Sequence, residues 1–476
     1  MERKKLFTAV IILTVVSIVI IVTSFVVLNQ LEEGPKQFYV GVTYCGSSVQ
    51  EAKELVDKVK DYTNLFVLQS GVLQYDFAAM EEIGEYAVAS NLSYAVYGGT
   101  RNEAGLNKWL NEAKKRWGEQ FIGVYYNDEV GGYMLDKTVF LETAYQIEGQ
   151  PVPMPKVAKT QEGAIVLYNY ENNKEDQEPL LMSTVTYWSD GRVIDENANT
   201  TITYYHDGTI TIFEKQKNQV YTTENITKYP NPIQSYVQIL KQNPIQTYDD
   251  AAKAYVNMNK NLLDDINNAQ LKKEQILVFT ADYGLYWWNY QSGYDLVLAE
   301  LAWNNSVTQE IGLVRGAANL QNKHWGTCIT WKYTHPPYLT DGEEMFEQMK
   351  TSYEAGAEYV LIFNYSEDPT NPNTLQEEHF QALEHFWNEI VQNPDIDHGG
   401  IQAEAVLILP QNYGWGIRYQ KDLIWGIWQA DINSQEIWNQ IQNNIDQYGL
   451  KLDIIFEDPN HPIKGKYNNI QFWNQK

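Results

Sequence analysis

From residue 38 onward the chain alternates between two hydrophobic periods. "FYVGVTYCG" (38–46) is a continuous apolar, β-branched run closed by glycine, which predicts a buried strand. "VQEAKELVDKVKDY" (49–62) spaces Ala52, Leu55, Val56 and Val59 as one face of a helix. The same pairing recurs, with strands over 63–71 and 92–99 and helices over 76–90 and 104–117. "QFIGVYYNDEVGG" then supplies a fourth strand. Strands without polar alternation, separated by amphipathic helices, imply a parallel sheet covered on its outer face.

The rhythm changes at residue 133. "LLMSTVTYWSDGRVI" and "TITYYHDGTITIFEKQKNQVYTTEN" alternate with period two around Asp190-Gly191 and Asp207-Gly208, so 133–247 reads as an antiparallel β-rich insertion. A helix over 248–268 restores the first pattern. Strands are predicted at 275–284, 294–304, 324–333 and 358–368, and helices at 307–321, 342–357 and 375–392. The segment 285–293, between the fifth and sixth strands, is short and rich in Tyr and Trp, and is the weakest helix of the set.

Eight strands with interleaved helices predict an α/β fold of the (β/α)8 TIM-barrel type. An open doubly wound sheet competes, but no Gly-rich phosphate loop follows the first strand. The expected division is 1–35 as tip, anchor and linker, and 36–132 as the first barrel half. Then come 133–247 as insertion, 248–395 as the second barrel half, and 396–476 as a small C-terminal α/β appendage.

A barrel places its chemistry at the C-terminal ends of its strands. In "FIGVYYNDEVGG" (121–132) the fourth strand ends in Asp128 and Glu129, and Gly131 and Gly132 would let the chain leave the rim toward the insertion as a roof. The other strand ends offer Tyr44, Gln69, Tyr97, Asp282, Tyr283, Trp287, Glu300, Trp303, Trp331, Lys332 and Asn364. Carboxylates, aromatics and amides around one mouth suit a neutral polyhydroxylated ligand, with rings stacking on Trp and Tyr and hydroxyls bonding to polar groups. Glycoside hydrolysis needs two carboxyl groups across the scissile bond. Glu129 and Glu300 are the preferred pair, with Asp128 and Asp282 in reserve.

Each assignment has a plainer competitor. Asp128 could cap a helix. Glu300, in the apolar context "LAELAW", could be paired with Arg315 or Lys332. Trp287 and Trp288 could be core. The seven histidines are scattered without metal-ligand spacing, and there is no Gly-x-Ser-x-Gly elbow, so neither a metal nor another cofactor is expected.

The barrel pattern, the acid-bearing "YYNDE" and the aromatic rim resemble a (β/α)8-barrel glycoside hydrolase over residues 38–395. In the largest such clan, the resemblance implies an acid/base at strand four, which Glu129 matches, and a nucleophile at strand seven. Here "CITWKYTHPPY" carries Trp331 and Lys332 and no acid. Pairing strands four and six resembles the α-galactosidase-like clan, which is expected to use aspartates. A non-catalytic carbohydrate-binding or cell-surface scaffold protein with a degenerate site is the alternative.

The uncharged run "LFTAVIILTVVSIVIIVTSFVVL" (6–28) changes the setting. It is about long enough to cross a bilayer. Arg3, Lys4 and Lys5 precede it and Glu32 and Glu33 follow, which predicts a single-pass anchor with the N-terminus cytoplasmic and the rest outside. A cleaved signal peptide is the competing reading, without a convincing cleavage site. Outside, the Asn-x-Ser/Thr sequons at Asn91, Asn199, Asn225, Asn304 and Asn364 are candidate glycosylation sites. The formal net charge of −26 argues against nucleic acid as a partner. The two cysteines, Cys45 and Cys328, lie in apolar runs and are expected as buried free thiols.

Overall fold

The computed structural model describes residues 37–99, 104–136, 146–147, 150–151, 156–159, 165–171, 180–188, 192–205, 209–224, 247–264, 266, 269–303, 305–366, 373–463 and 465–475. Among the described residues, those from Val40 onward form one compact unit. The apolar run 6–28 lies outside the described residues, among which no helix is long and apolar enough to cross a membrane.

Eight parallel strands close into a barrel. They are β1 (Tyr39–Tyr44), β2 (Leu65–Leu68), β3 (Ser93–Gly99), β4 (Phe121–Tyr126), β5 (Leu277–Asp282), β6 (Leu296–Leu301), β7 (His324–Ile329) and β8 (Tyr359–Ile362). Each predicted strand is present, with a shorter ladder than its apolar run. β8 stops at Ile362, so Asn364 and Tyr365 belong to the loop beyond it. Nearly every strand residue is buried, as expected for a sheet packed on both faces. The doubtful segment forms a seven-residue helix, Tyr286–Ser292.

β4 and β5 are direct neighbours, pairing Gly123 with Leu277 and Tyr125 with Phe279. The insertion between them builds a seven-stranded antiparallel sheet from strands within 156–224. The connections 137–145 and 225–246 lie outside the described residues, and with them the expected roof over the mouth.

The appendage is a three-stranded parallel sheet of β9 (Ala405–Leu409), β10 (Leu452–Phe456) and β11 (Asn469–Phe472), with β9 in the middle. Helix Ile432–Tyr448 connects β9 to β10. The sheet docks on helix Val307–Gln321, which is therefore buried on nearly all sides. Gly312 and Gly316 make this docking close. A Cβ at Gly312 would stand 2.9 Å from the Leu452 carbonyl oxygen, and one at Gly316 would stand 2.8 Å from Ile455. Between these glycines Arg315 reaches into the sheet. Its Nε donates to Asp453 at 2.7 Å, and its Nη2 donates to the carbonyls of Leu450 and Leu452 at 2.6 and 3.1 Å. Arg315 thus serves the barrel–appendage joint.

Both partners of this ion pair are buried. Removing one charge leaves the other unpaired in a medium that cannot solvate it. Asp453→Leu is expected to lower unfolding stability by about 3–5 kcal/mol in urea denaturation, a loss that a surface ion pair would not produce.

Candidate active site at the barrel mouth

The turn after β4 departs from ordinary backbone geometry. Asn127 and Glu129 both adopt left-handed conformations, with φ of 58° and 50°. For residues with a Cβ this costs on the order of 1–3 kcal/mol. Two anchors hold it: the Glu129 N–H donates to the Ala281 carbonyl at 3.0 Å, and Thr280 Oγ1 donates to the Asn127 carbonyl at 2.6 Å. The chain then enters a short helix, Val130–Asp136, instead of leaving the rim directly. Gly131 and Gly132 are required here by close approach. A Cβ on Gly132 would lie 2.0 Å from the Tyr283 ring, and one on Gly131 would lie 2.3 Å from the Gly284 carbonyl oxygen.

Four acids surround this turn, in different environments. Asp282 ends β5 fully buried and accepts four N–H groups. They come from Gly131 (2.6 Å), Gly132 (2.8 Å), Tyr283 (2.8 Å) and Asn289 Nδ2 (2.7 Å). It is the cap that locks the first turn of helix Val130–Asp136 to β5. Burial pushes its carboxyl up to about 6 despite these donors. Asp128 accepts the Tyr125 hydroxyl on one oxygen and Gln69 Nε2, at 3.4 Å, on the other. Burial again pushes it up to about 6.

Glu300 on β6 meets mainly other acids. Its carboxyl is hydrogen-bonded to that of Glu129. Burial first, then the charges of Glu129, Asp128 and Asp282, raise its affinity for a proton well above the ordinary range. A hydrogen bond between two carboxyl groups requires one proton, and burial with the neighbouring charges favours it on Glu300. The cations that could have neutralised Glu300 are committed elsewhere, Arg315 to Asp453 and Lys332 to Glu344.

Around the acids the rim sorts into neighbours and bystanders. The Tyr97 ring packs edge-on against Tyr125, with centroids 5.5 Å apart, and its hydroxyl feels the charges of Asp128 and Glu129. Gln69 is buried, and its Oε1 has no hydrogen-bond partner, so an acceptor waits beside Asp128. Tyr283 packs edge-on against Trp303 at 5.1 Å and donates its hydroxyl to Asp136 at 2.7 Å. Trp331 stands beyond Trp303, whose N–H donates to the Trp331 carbonyl at 3.0 Å.

Four of the predicted binding residues are placed otherwise. Tyr44 folds back to its own loop, accepting from the Ser48 N–H at 3.0 Å and donating to Glu51 at 3.1 Å. Trp287 is core, packed on Phe456 and His461 of the appendage, and Trp288 packs at steep angles against Trp425 and Phe456. Lys332 turns to Glu344 on the barrel's outer helix Gly342–Glu354. Asn364 is buried and closes its own loop, accepting from the N–H groups of Thr374 and Leu375 at 2.8 and 3.1 Å. That sequon is sealed in the folded chain, whereas Asn91 and Asn199 are exposed and Asn225 and Asn304 lie outside the described residues.

Sequence reasoning passed over Tyr125, the donor to Asp128. Its signal was register: it lies within β4 three residues before the acid it serves. It also passed over Cys45 and Cys328 as parts of the mouth. Both are free thiols, and burial pushes Cys45 up to about 12, with Asp128 adding to the shift. Among the described residues no group of three His, Cys, Asp or Glu side chains is arranged to hold a metal ion.

No family model and no curated protein matches this sequence. Among solved structures, the chain is similar to a Gfo/Idh/MocA family oxidoreductase from Vibrio cholerae. The identity is 11%, over 48% of this chain and 73% of that one, with a TM-score of 0.10. A likeness of that size carries no argument about fold or function, so the functional reading rests on the site itself.

Protonated acids in the folded mouth have a measurable consequence. Asp128 and Asp282 titrate near 6 in the fold, against about 3.9 in an unfolded chain. Between those values the folded state binds more protons, so stability falls as pH rises from about 4 to 6, and the raised Glu300 extends the fall upward. Urea unfolding is expected to show greater stability at pH 5 than at pH 7.5. The difference should shrink in Asp128→Asn and Glu300→Gln. An unchanged pH slope in both variants would contradict this account.

Proposed function

We propose that this protein is a membrane-anchored, extracellular glycoside hydrolase-like protein that acts on a glycan through Glu129 and Glu300. The observation that carries the reading is the hydrogen-bonded carboxyl pair across the ends of β4 and β6, one member held protonated by burial and neighbouring charge. A glycosidase needs that division of labour, one acid to protonate the leaving oxygen and one carboxylate to face the sugar. Glu300 is the proton donor in this scheme. The glycosidic oxygen replaces Glu129 as acceptor of the Glu300 proton, which frees the Glu129 carboxylate to attack the anomeric carbon or to activate water. Asp128, fixed by Tyr125 and Gln69, adds negative charge where the oxocarbenium-like transition state becomes positive. The unpartnered Gln69 Oε1 gives a sugar hydroxyl an acceptor. The anchor is the run 6–28, and its flanking charges set the outside location.

One observation favours a second reading, a carbohydrate-binding or scaffold protein without turnover. The two carboxyl groups are bonded to each other, whereas a glycosidase needs room for the scissile bond between them, with about 5–5.5 Å in retaining enzymes and about 6.5–9.5 Å in inverting ones. On this reading the pair stays closed, and the acids only bind hydroxyls.

The two readings separate on one experiment. The full-length protein is assayed on aryl glycosides and soluble polysaccharides, in a detergent without a sugar headgroup. Glu300→Gln and Glu129→Gln are each expected to lower turnover by at least about 100-fold while the thermal midpoint holds. Glycan binding with no turnover by the unmodified protein would support the second reading, and turnover unchanged in both variants would sink the first.

A further inference from the structure

Acids stand in both halves of the mouth, with Asp128 and Glu129 after β4, Asp282 at the end of β5 and Glu300 on β6, while exposed aromatic rings gather beyond β6 to β8. Strands β1 to β4 end in polar and acidic groups: Cys45, Gln69, Tyr97, Asp128 and Glu129. Strands β5 to β8 each contribute an aromatic ring within three residues of their ends, Tyr283, Trp303, Trp331 and Tyr365, and β8 adds Phe363 against Tyr365. The first four rings are linked in sequence around the rim. Tyr283 meets Trp303 edge-on at 5.1 Å. Trp303 is tied to Trp331 through the backbone at 3.0 Å. Trp331 lies parallel to Tyr365, with centroids 6.1 Å apart and planes 4° apart, and its Nε1–H donates to the Tyr365 carbonyl at 2.8 Å. Tyr338 supports Trp331 from behind, with centroids at 4.8 Å.

Two features single this arc out from ordinary packing. The outer rings keep much of their surface in water: Trp303 is 39% exposed and Tyr365 38%, while Trp331 is half-buried. Large aromatic side chains gain most by burial, so holding several at one rim forgoes stability. Trp303 also adopts a left-handed backbone with φ of 47°, which is strained for a bulky residue. The fold holds this strain to present an indole beside the acids. The arc spans the ends of β6, β7 and β8. At about 4.8 Å per strand step it runs on the order of 10 Å, more than one sugar ring needs.

We infer that the arc Trp303–Trp331–Tyr365 stacks consecutive rings of a glycan chain, so that the site takes an oligosaccharide or polysaccharide and not a free monosaccharide. The inference rests on the carbohydrate reading of the mouth and adds chain length to it. On this reading the rings take the apolar faces of the sugars, and the acids of the mouth, Glu300 on the same strand as Trp303 among them, meet their hydroxyls. A nucleic-acid strand, which also stacks on aromatics, would bring phosphates against this carboxylate cluster and a net charge of −26.

The test compares chain lengths in the full-length protein, held in a polyoxyethylene ether detergent that carries no sugar. Binding is followed by calorimetry and by tryptophan fluorescence. The probes are glucose against cellohexaose, N-acetylglucosamine against chitohexaose, and xylose against xylohexaose, with galactan and mannan in affinity gels. At least one hexasaccharide or polysaccharide is expected to bind at least about 10-fold more tightly than its monosaccharide, since each added stacking contact contributes about 3–10-fold. Trp331→Ala and Tyr365→Ala should each remove about 3–10-fold of that advantage. Tyr365→Phe, which keeps the ring, should retain it. Tyr365 sits in a loop, so its variant stays informative should Trp331→Ala fail to fold.

Equal affinity for monosaccharide and hexasaccharide would overturn the arc and leave the carbohydrate reading standing. So would hexasaccharide binding untouched by Tyr365→Ala. A folded protein that binds none of the probes, and turns over no glycan, would remove both together.

Discussion

The mouth of this barrel is organised by one electrostatic constraint: several carboxyl groups share a buried space, with no cation among them in the described residues. Isolated charges cannot be held there, because the low-dielectric surroundings do not replace the water they lose. The fold resolves this with protons and N–H groups. Asp282 receives four N–H donors, Asp128 receives a phenol and an amide, and Glu300 keeps a proton and shares it with Glu129. The positive residues nearby are bound into other pairs, Arg315 with Asp453, Lys332 with Glu344, and Arg418 with Asp422 and Asp136. An arginine admitted to the mouth would have stabilised the acids as anions and removed the proton from Glu300.

The outer parts of the chain hold that arrangement in place. Helix Val130–Asp136 begins at Glu129 and ends at Asp136, which takes the Tyr283 hydroxyl on one oxygen and Arg418 on the other. The Arg418 guanidinium also lies 5.5 Å over the Tyr283 ring and donates to both oxygens of Asp422. The appendage therefore reaches the wall of the mouth through Arg418 and through Gly416 and Gly426 against Leu135 and Met134, and it is seated on the barrel by a helix stripped to glycine at two positions. Trp287 and Trp288 fill the joint between them. Residues that looked like rim aromatics in the sequence turn out to be what holds the appendage against the barrel.

The barrel was legible because its evidence is periodic. Eight buried strands separated by amphipathic helices leave a pattern that survives ignorance of every contact, and all eight strands appear where that pattern puts them. The mouth was legible only as a set of positions. Strand ends announce which residues lie at the rim, but not which way each side chain turns. Tyr44 and Asn364 turn to their own loops, and Lys332 turns outward to Glu344, because a backbone N–H or carboxylate stood within reach. Gly131 and Gly132 were read as a flexible exit. They are glycines because the Tyr283 ring and the Gly284 carbonyl leave no room for a Cβ, a tertiary fact with no local signature.

The same distinction explains why four similar acids cannot share one role. Asp128, Glu129, Asp282 and Glu300 are equivalent as letters at strand ends. Their partners make them different. Asp282 meets only N–H donors on its two oxygens and has no free face to offer a ligand, so its part is to cap the helix that follows Glu129 and so fix the turn that holds Glu129 at the rim. Asp128 has both oxygens engaged but stays partly open. Glu300 has a proton and an acidic neighbour as its acceptor, an arrangement that a better acceptor, such as an ether oxygen lying between the two, can displace. The strained fourth turn and the burial of β6 together bring Glu129 against Glu300, so backbone geometry at one strand end sets the proton affinity of a residue on another.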